Sequence, residues 1–291
     1  MPTWIIRLFG REELRHSGKG SLELPDIWWP VFGSLLSAQR HLLSRGKLAG
    51  MLWPDKPEKA ARHCLATALW RIKTRFPSDH QLITFDSNTV ALCLQGSFWV
   101  DLVAFERRTK LYLAEPQRLA SHPERERLRR ALAHYRDPFM AERDVEWIAI
   151  ERERLRTLYL DAMFALASAE VEAERWTDAR DSARRICAVE PLREDAQRLL
   201  MLAHVKCGAR AVALDQYNVL ADLLRSELGI APMAQTQQLA AEIAGQNATD
   251  VPKQIRLASP APSQSDARLT MLRVRDHLNR SLDLLNGYLA D

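Results

Sequence analysis

Residues Leu52–Phe76 read LWPDKPEKAARHCLATALWRIKTRF. Pro54 ends one helix and Asp55 or Pro57 opens the next, because proline is tolerated in a first turn and not in a helix interior. At about 100° per residue, Ala61, Leu65, Ala68, Leu69, Ile72 and Phe76 fall within roughly a quarter turn and form a core-facing stripe. Opposite them lie Lys59, His63, Ala66, Thr67, Trp70 and Thr74, with Arg71 and Lys73 on the flanks. A helix that enters a DNA major groove needs one side that packs. Its other side needs little bulk at the centre and cations within reach of phosphates and base edges. The plain alternative is an amphipathic surface helix whose C-terminal cations complement the helix dipole.

The segments on either side place this helix. Upstream, TWIIRLFG, EELRHS and SLELP have β-rich or alternating patterns and predict three short strands, the first two separated by Gly10-Arg11. Trp29 precedes Pro30 and is expected to be extended, with Pro30 in the first turn of a helix that runs to about Ser37. Ser44 is placed to cap a second helix, RGKLAGMLW. Downstream, QLITF and TVALCL flank DSN and predict a β-hairpin. Short strands, three helices and a hairpin are the order of a winged helix, a helix-turn-helix variant.

From Asp101 to about Gly245 the pattern is helical. Asp101 is a candidate N-cap for LVAFERRTKLYLA, and PERERLRRALAHY opens another helix with Glu126 and Arg130 four residues apart. The runs ERERLRR and ERERLR read as solvated helix faces laced with ion pairs. RWTDARDSARRI and ARAVALDQYNVL repeat at 34 residues, aligning Ala179 with Ala213 and Ile186 with Leu220, and Pro191 and Pro232 each close a unit. That period is the length of a tetratricopeptide helix pair, whose small residues let two helices cross closely and whose stacking leaves a concave protein-binding face. Residues 246–265 are polar and Pro/Ser-rich and predict a linker. Residues 266–291 are amphipathic, with Met271, Leu278 and Leu285 every seven residues, and predict a helix that docks on its own chain or on a partner.

Composition sets the class. The chain has 291 residues, 47% hydrophobic and 27% charged, the balance of an ordinary globular protein. No apolar run approaches a membrane span and the N-terminus lacks a secretory signal, so a cytoplasmic location is expected. The net charge of +4 is uneven: residues 1–100 hold 13 Lys/Arg against 8 Asp/Glu, and the remainder 28 against 29. The positive excess therefore lies in the first third and favours a polyanionic partner there. Cys64, Cys93, Cys187 and Cys207 are scattered, without the spacing of a disulfide framework or a zinc site. HSGKGS at His16–Ser21 lacks the first glycine of a phosphate loop and lies between predicted strands. No HxH, HExxH or GxSxG occurs, and nothing nominates a nucleophile, a base, a metal, a cofactor or a small-molecule ligand. No enzymatic activity is expected.

SRGKLAGMLWPD followed by ARHCLATALWRIKTRF resembles the OmpR-type DNA-binding half of the Streptomyces antibiotic regulatory protein (SARP) family. WVDLVAFERR, EWIAIERERLRTLYLDAM, and EPLREDAQRLLM leading to ELGIAP resemble its partner, the bacterial transcriptional activation domain. The resemblance covers about residues 4–245 and excludes the tail. It implies a mainly α protein: a winged helix-turn-helix over 1–100, a tetratricopeptide-like domain over 101–245, the linker over 246–265 and the terminal helix over 266–291. It implies a transcriptional regulator, usually an activator, that binds double-stranded promoter repeats, dimerises and helps recruit RNA polymerase. Ser44–Trp53 becomes the positioning helix and Glu58–Phe76 the recognition helix. The DNA-facing candidates are Arg45, Lys59, Arg62, His63, Thr67, Trp70, Arg71, Lys73 and Thr74. Two features depart from the family pattern: the wing FDSNTVAL carries no Lys or Arg, and Trp70 is large for a DNA-facing position. They motivate the alternative of a protein-interaction adaptor whose winged helix no longer binds DNA.

Overall fold

A computed structural model describes residues 4–75, 82–94 and 98–245. The linker and terminal helix expected over 246–291 lie outside the described residues, as does Phe76. The chain divides into two compact units, residues 1–115 with 126–159, and residues 116–125 with 160–291.

In the first unit, β1 (Trp4–Arg7), β2 (Glu13–His16) and β3 (Gly20–Leu22) form an antiparallel meander. His16–Ser21 thus runs through the β2–β3 turn into β3, not into a helix. Helix α1 (Trp28–Ser37) leads to β4 (Leu42–Ser44), then α2 (Arg45–Leu52) and α3 (Glu58–Arg75). Strands β5 (Ile83–Phe85) and β6 (Thr89–Leu92) are the predicted hairpin and join β4 in a sheet of order β4-β6-β5. Strand β7 (Phe98–Val100) pairs parallel to β1 and completes the order β3-β2-β1-β7. Trp29 is helical rather than extended. Its neighbour Pro30 stands in the first turn, where no intrahelical N–H partner is lost, and burial of Trp28 and Trp29 fixes the turn in place.

The same unit extends well past the β7 strand. Helix α4 (Asp101–Ala114) begins at Asp101, with Val100 in the capping position. Asp101 is therefore not the N-cap. Its carboxylate accepts from the N–H groups of Leu8, Phe9 and Leu102 at 2.7–3.1 Å, clamping the chain beyond β1 to the start of α4. At 3% exposure, desolvation outweighs these bonds and raises its pKa to about 6. Main-chain bonds also bring residues 138–141 to this edge. Gly10 donates to Pro138 O at 3.0 Å, Met140 to Leu8 O at 2.8 Å and Ala141 to Gly10 O at 3.2 Å. Gly10 makes the bend at φ 90°, a conformation that costs glycine little.

The arginine-rich runs are more than solvated faces. In α5 (His122–Leu132), buried Arg125 donates to the carbonyls of Leu119 and Ala120 at 2.8 Å. Glu126 pairs with Arg129, while Arg130 donates to the Glu126 main-chain oxygen instead of its carboxylate. In α6 (Glu146–Glu172), Arg152 donates to the carbonyls of Phe139, Met140 and Arg143. Arg154 joins Glu151 and Glu106, and Arg143 bridges Glu12 and Asp26. An arginine fork satisfies several carbonyls at once, so these cations replace secondary structure where the backbone is irregular.

The second unit carries α7 (Trp176–Val189), α8 (Glu194–Lys206), α9 (Arg210–Leu228) and α10 (Ala234–Gly245). Ala179, Ala213, Ile186 and Leu220 are all buried, as the 34-residue repeat requires. Pro191 and Pro232 stand in the α7–α8 and α9–α10 turns. Gly229 ends α9 at φ 68°, its N–H bonded to Arg225 O and that of Ile230 to Leu224 O, which accounts for the glycine in ELGIAP. Buried Glu194 takes the Met233 N–H and the Thr236 hydroxyl and fastens α8 to the start of α10.

Candidate nucleic-acid interface

Helix α3 is fixed from beneath by Ala61, Leu65, Ala68, Leu69 and Ile72, all buried. Each large side chain among them is worth about 2 kcal/mol of burial. That stripe leaves the opposite face in solvent: Lys59, Arg62, His63, Ala66, Thr67, Trp70, Arg71, Lys73 and Thr74 are exposed. Trp70 is 64% exposed, so most of its ring lies open to solvent. The Thr67 hydroxyl donates to His63 O at 3.2 Å, and the Thr74 hydroxyl to Trp70 O and Arg71 O at 3.1 Å. Arg62 is held by Glu58 at 2.6 Å, one turn back. Lys59, Arg71 and Lys73 have no carboxylate partner among the described residues. The cations thus sit at both ends of the face, with the short Ala66 and Thr67 between them.

Helix α2 and the wing are built as one piece with this face. The Ser44 hydroxyl caps α2 by accepting the Lys47 N–H at 3.3 Å, as its position predicts. Strand β4 runs against β6 in the register Leu42–Ala91, Leu43–Val90 and Ser44–Thr89, and the Arg45 N–H then bonds Asn88 O at 2.8 Å. Asp86 closes the wing tip. Its carboxylate accepts the N–H groups of Asn88 and Thr89 at 2.7 Å and the Thr89 hydroxyl at 3.0 Å, and these bonds hold its pKa below the usual carboxylate value.

Arg45 does not lie out on the surface with the α3 candidates. It is half-buried, donates to Asp86 O at 3.0 Å, and places its guanidinium 5.8 Å from the Phe85 ring. Lys73 reaches the same ring at 5.7 Å from α3. The wing FDSNTVAL has no cation of its own, yet Arg45 and Lys73 supply two where it meets α3. Sequence reasoning missed Phe85, which is 37% exposed. Its signal is an aromatic residue at the outer end of a hairpin strand, legible once the register puts it beside two cations.

The described residues hold no group of three His, Cys, Asp or Glu side chains placed to bind a metal. The four cysteines are free, and burial pushes the Cys187 thiol up to about 12, far from reactive thiolate. Among the described residues no helix is long and apolar enough to cross a membrane.

Residues 100–244 match the family described as the bacterial transcriptional activator domain. This domain spans just under half of the chain and supports the SARP-type resemblance read from the sequence. The regulatory protein AfsR of Streptomyces coelicolor is 26% identical over 220 residues, which are 72% of this chain and 21% of AfsR. The chain therefore spans about a fifth of that relative's length. Among solved structures, Mycobacterium tuberculosis EmbR in complex with a low affinity phosphopeptide superposes with a TM-score of 0.68 at 17% identity. That match covers 95% of this chain and 72% of EmbR, and shows a shared fold. The SARP resemblance and the mainly helical architecture stand as expected from the sequence. The family is one of transcriptional regulators, not a class of enzymes.

Proposed function

We propose that this SARP-type regulator binds double-stranded promoter DNA through α3 and activates transcription in the cytoplasm. Residues 1–100 act as the winged-helix reader. Lys59, Arg62, Arg71 and Lys73 take phosphates on either side of the groove, and His63, Thr67, Trp70 and Thr74 face base edges and sugars. Arg45 steadies the wing against the backbone. Residues 101–245 support pairing of two copies on promoter repeats and contact RNA polymerase. The observation that carries this reading is the outward face of α3: short at its centre, cationic at both ends and buried only along its opposite stripe.

A gel-shift series over rising salt on DNA from the protein's own upstream region tests it. Binding must weaken steeply, because each neutralised phosphate releases counterions. Replacing Arg71 and Lys73 by Ala is expected to reduce the log–log slope by about 2 while leaving the thermal midpoint in place. An unchanged slope would remove α3 from the interface. The exposed Trp70 gives weight to the second reading, an adaptor that meets protein instead of DNA. Under that reading, Trp70→Ala abolishes capture of a protein partner and salt has little effect.

A further inference from the structure

Three elements of the first unit meet at one aromatic ring. Phe85 ends β5, Arg45 opens α2 and Lys73 stands in the last turn of α3. The Arg45 guanidinium lies 5.8 Å and the Lys73 ammonium 5.7 Å from the centroid of the Phe85 ring. Both are inside the range of roughly 6 Å over which a ring face attracts a cation. Strand register explains why the ring is there. Phe85 pairs with Val90, and Val90 with Leu43, so the three share one face of the β4-β6-β5 sheet. Val90 and Leu43 are buried, whereas Phe85, at the end of the row, is 37% exposed. The ring is thus rooted in the wing and partly open to solvent.

The two cations are held unequally. Arg45 is tied to the wing by its main-chain N–H bond to Asn88 O at 2.8 Å and by its guanidinium bond to Asp86 O at 3.0 Å. Lys73 has the ring, and no hydrogen-bond or carboxylate partner among the described residues. A lysine that takes a phosphate from a freely rotating state loses rotamer entropy on binding, and one already drawn to a ring loses less. The ring also keeps two like charges in one neighbourhood, from which their repulsion would otherwise part them. Residues Phe85–Leu92 contain no Lys or Arg. The positive charge that the wing tip offers a polyanion is therefore gathered at this ring.

We propose that Phe85 is a positioning residue of the DNA interface, whose ring presets Lys73 and Arg45 as a pair that meets one stretch of phosphate backbone. This role presupposes that α3 is the DNA-binding helix. Phosphate is the target, not a base edge, because the pair stands where α3 meets the wing, about two turns beyond the short centre at Ala66 and Thr67.

Substitutions that keep an apolar side chain and change the ring test it. Phe85→Leu lacks the ring face, and Phe85→Tyr keeps it. In gel-shift titrations of the full chain on DNA from its own upstream region, Phe85→Leu should weaken binding about fivefold, the scale of exposed cation–π contacts. Phe85→Tyr should bind like the parent. In a background of Arg45→Ala with Lys73→Ala, the Phe85→Leu loss should shrink to less than about twofold, because the cations it positions are gone. Phe85→Met repeats the test where Phe85→Leu folds poorly. A readout without DNA is the proton NMR spectrum of the free chain. The Lys73 ε-methylene protons should lie upfield of those of other lysines, shielded by the ring, and should return on Phe85→Leu. Parent-like binding by Phe85→Leu overturns the positioning role while leaving the α3 reading intact, as does the absence of the upfield shift. A Phe85→Leu loss of equal size in the double-alanine background also overturns it, and makes the ring a direct DNA contact or a support of the fold. A parent that shows the upfield shift but no salt-dependent DNA binding sinks the α3 reading, and the role of Phe85 in DNA binding falls with it.

Discussion

Helices α3 and α6 both present dense positive charge, and they use it in opposite ways. On α6, Arg152 is engaged by three main-chain carbonyls and Arg154 by two carboxylates. On α3, Lys59 and Arg71 meet no carboxylate, and Lys73 meets only an aromatic ring among the described residues. Residue type does not distinguish these arginines and lysines; the fate of their donors does. A cation whose N–H groups are taken up by its own chain is structural, and one left in solvent beside a small-residue surface is available to a partner.

The largest effect that separates the two regions is on stability. Arg152→Ala leaves the carbonyls of Phe139, Met140 and Arg143 without their shared donor, at a cost of about 3 kcal/mol. Arg71→Ala with Lys73→Ala, on an exposed face, should change stability by less than about 0.5 kcal/mol. Urea denaturation of the three proteins measures both. Comparable losses from the two would erase the distinction drawn between α6 and α3.

Asp101 gives the next effect, and it depends on pH. Asp101→Ala strips the buried N–H groups of Leu8 and Phe9 of their acceptor and should cost about 2 kcal/mol. The folded-state pKa of about 6 stands above that of an unfolded aspartate near 4, so the folded chain holds the extra proton between the two values. The stabilisation linked to that proton is complete below about pH 4 and is lost as pH rises through about 6. The stability difference between the parent and Asp101→Asn, which does not titrate, should therefore shrink from pH 4 to pH 6. A difference that grows over this window would mean the carboxylate is ionised throughout and the three N–H bonds outweigh burial.

The same contrast explains what was legible in the sequence. Period and punctuation marked α2, α3 and the hairpin, because Pro54, Pro57, Ser44 and the Leu65–Leu69–Ile72 stripe act locally. The 34-residue alanine match marked the helical repeat for the same reason. The link from residues 138–152 back to the β1 edge left no such trace. It is made by main-chain bonds from Gly10 and Met140 and by the Arg143 and Arg152 forks, which join residues far apart in the chain and follow no period. At the candidate interface, sequence placed the exposed face of α3 but not the half-buried position of Arg45. Arg45 is drawn in by Asp86 and Asn88, and its role depends on the strand register.

The smallest effect lies between the two classes, at Arg62. It is on the exposed face of α3, yet its guanidinium is held by Glu58 one turn earlier. Both side chains are more than half exposed, 57% and 74%, so the pair contributes little to folding. An incoming phosphate must compete with Glu58 for the same donor. Glu58→Ala should therefore strengthen DNA binding by about twofold, the scale of a surface i,i+4 pair. It should do so without moving the thermal midpoint, and the gain should disappear in the Arg62→Ala background. Titrations of the four proteins at one salt concentration provide the double-mutant cycle. Additive effects would mean that Glu58 acts only through its general negative charge near the duplex and that Arg62 takes no phosphate. A coupled gain would make Arg62 a cation that its own helix holds in place until DNA arrives.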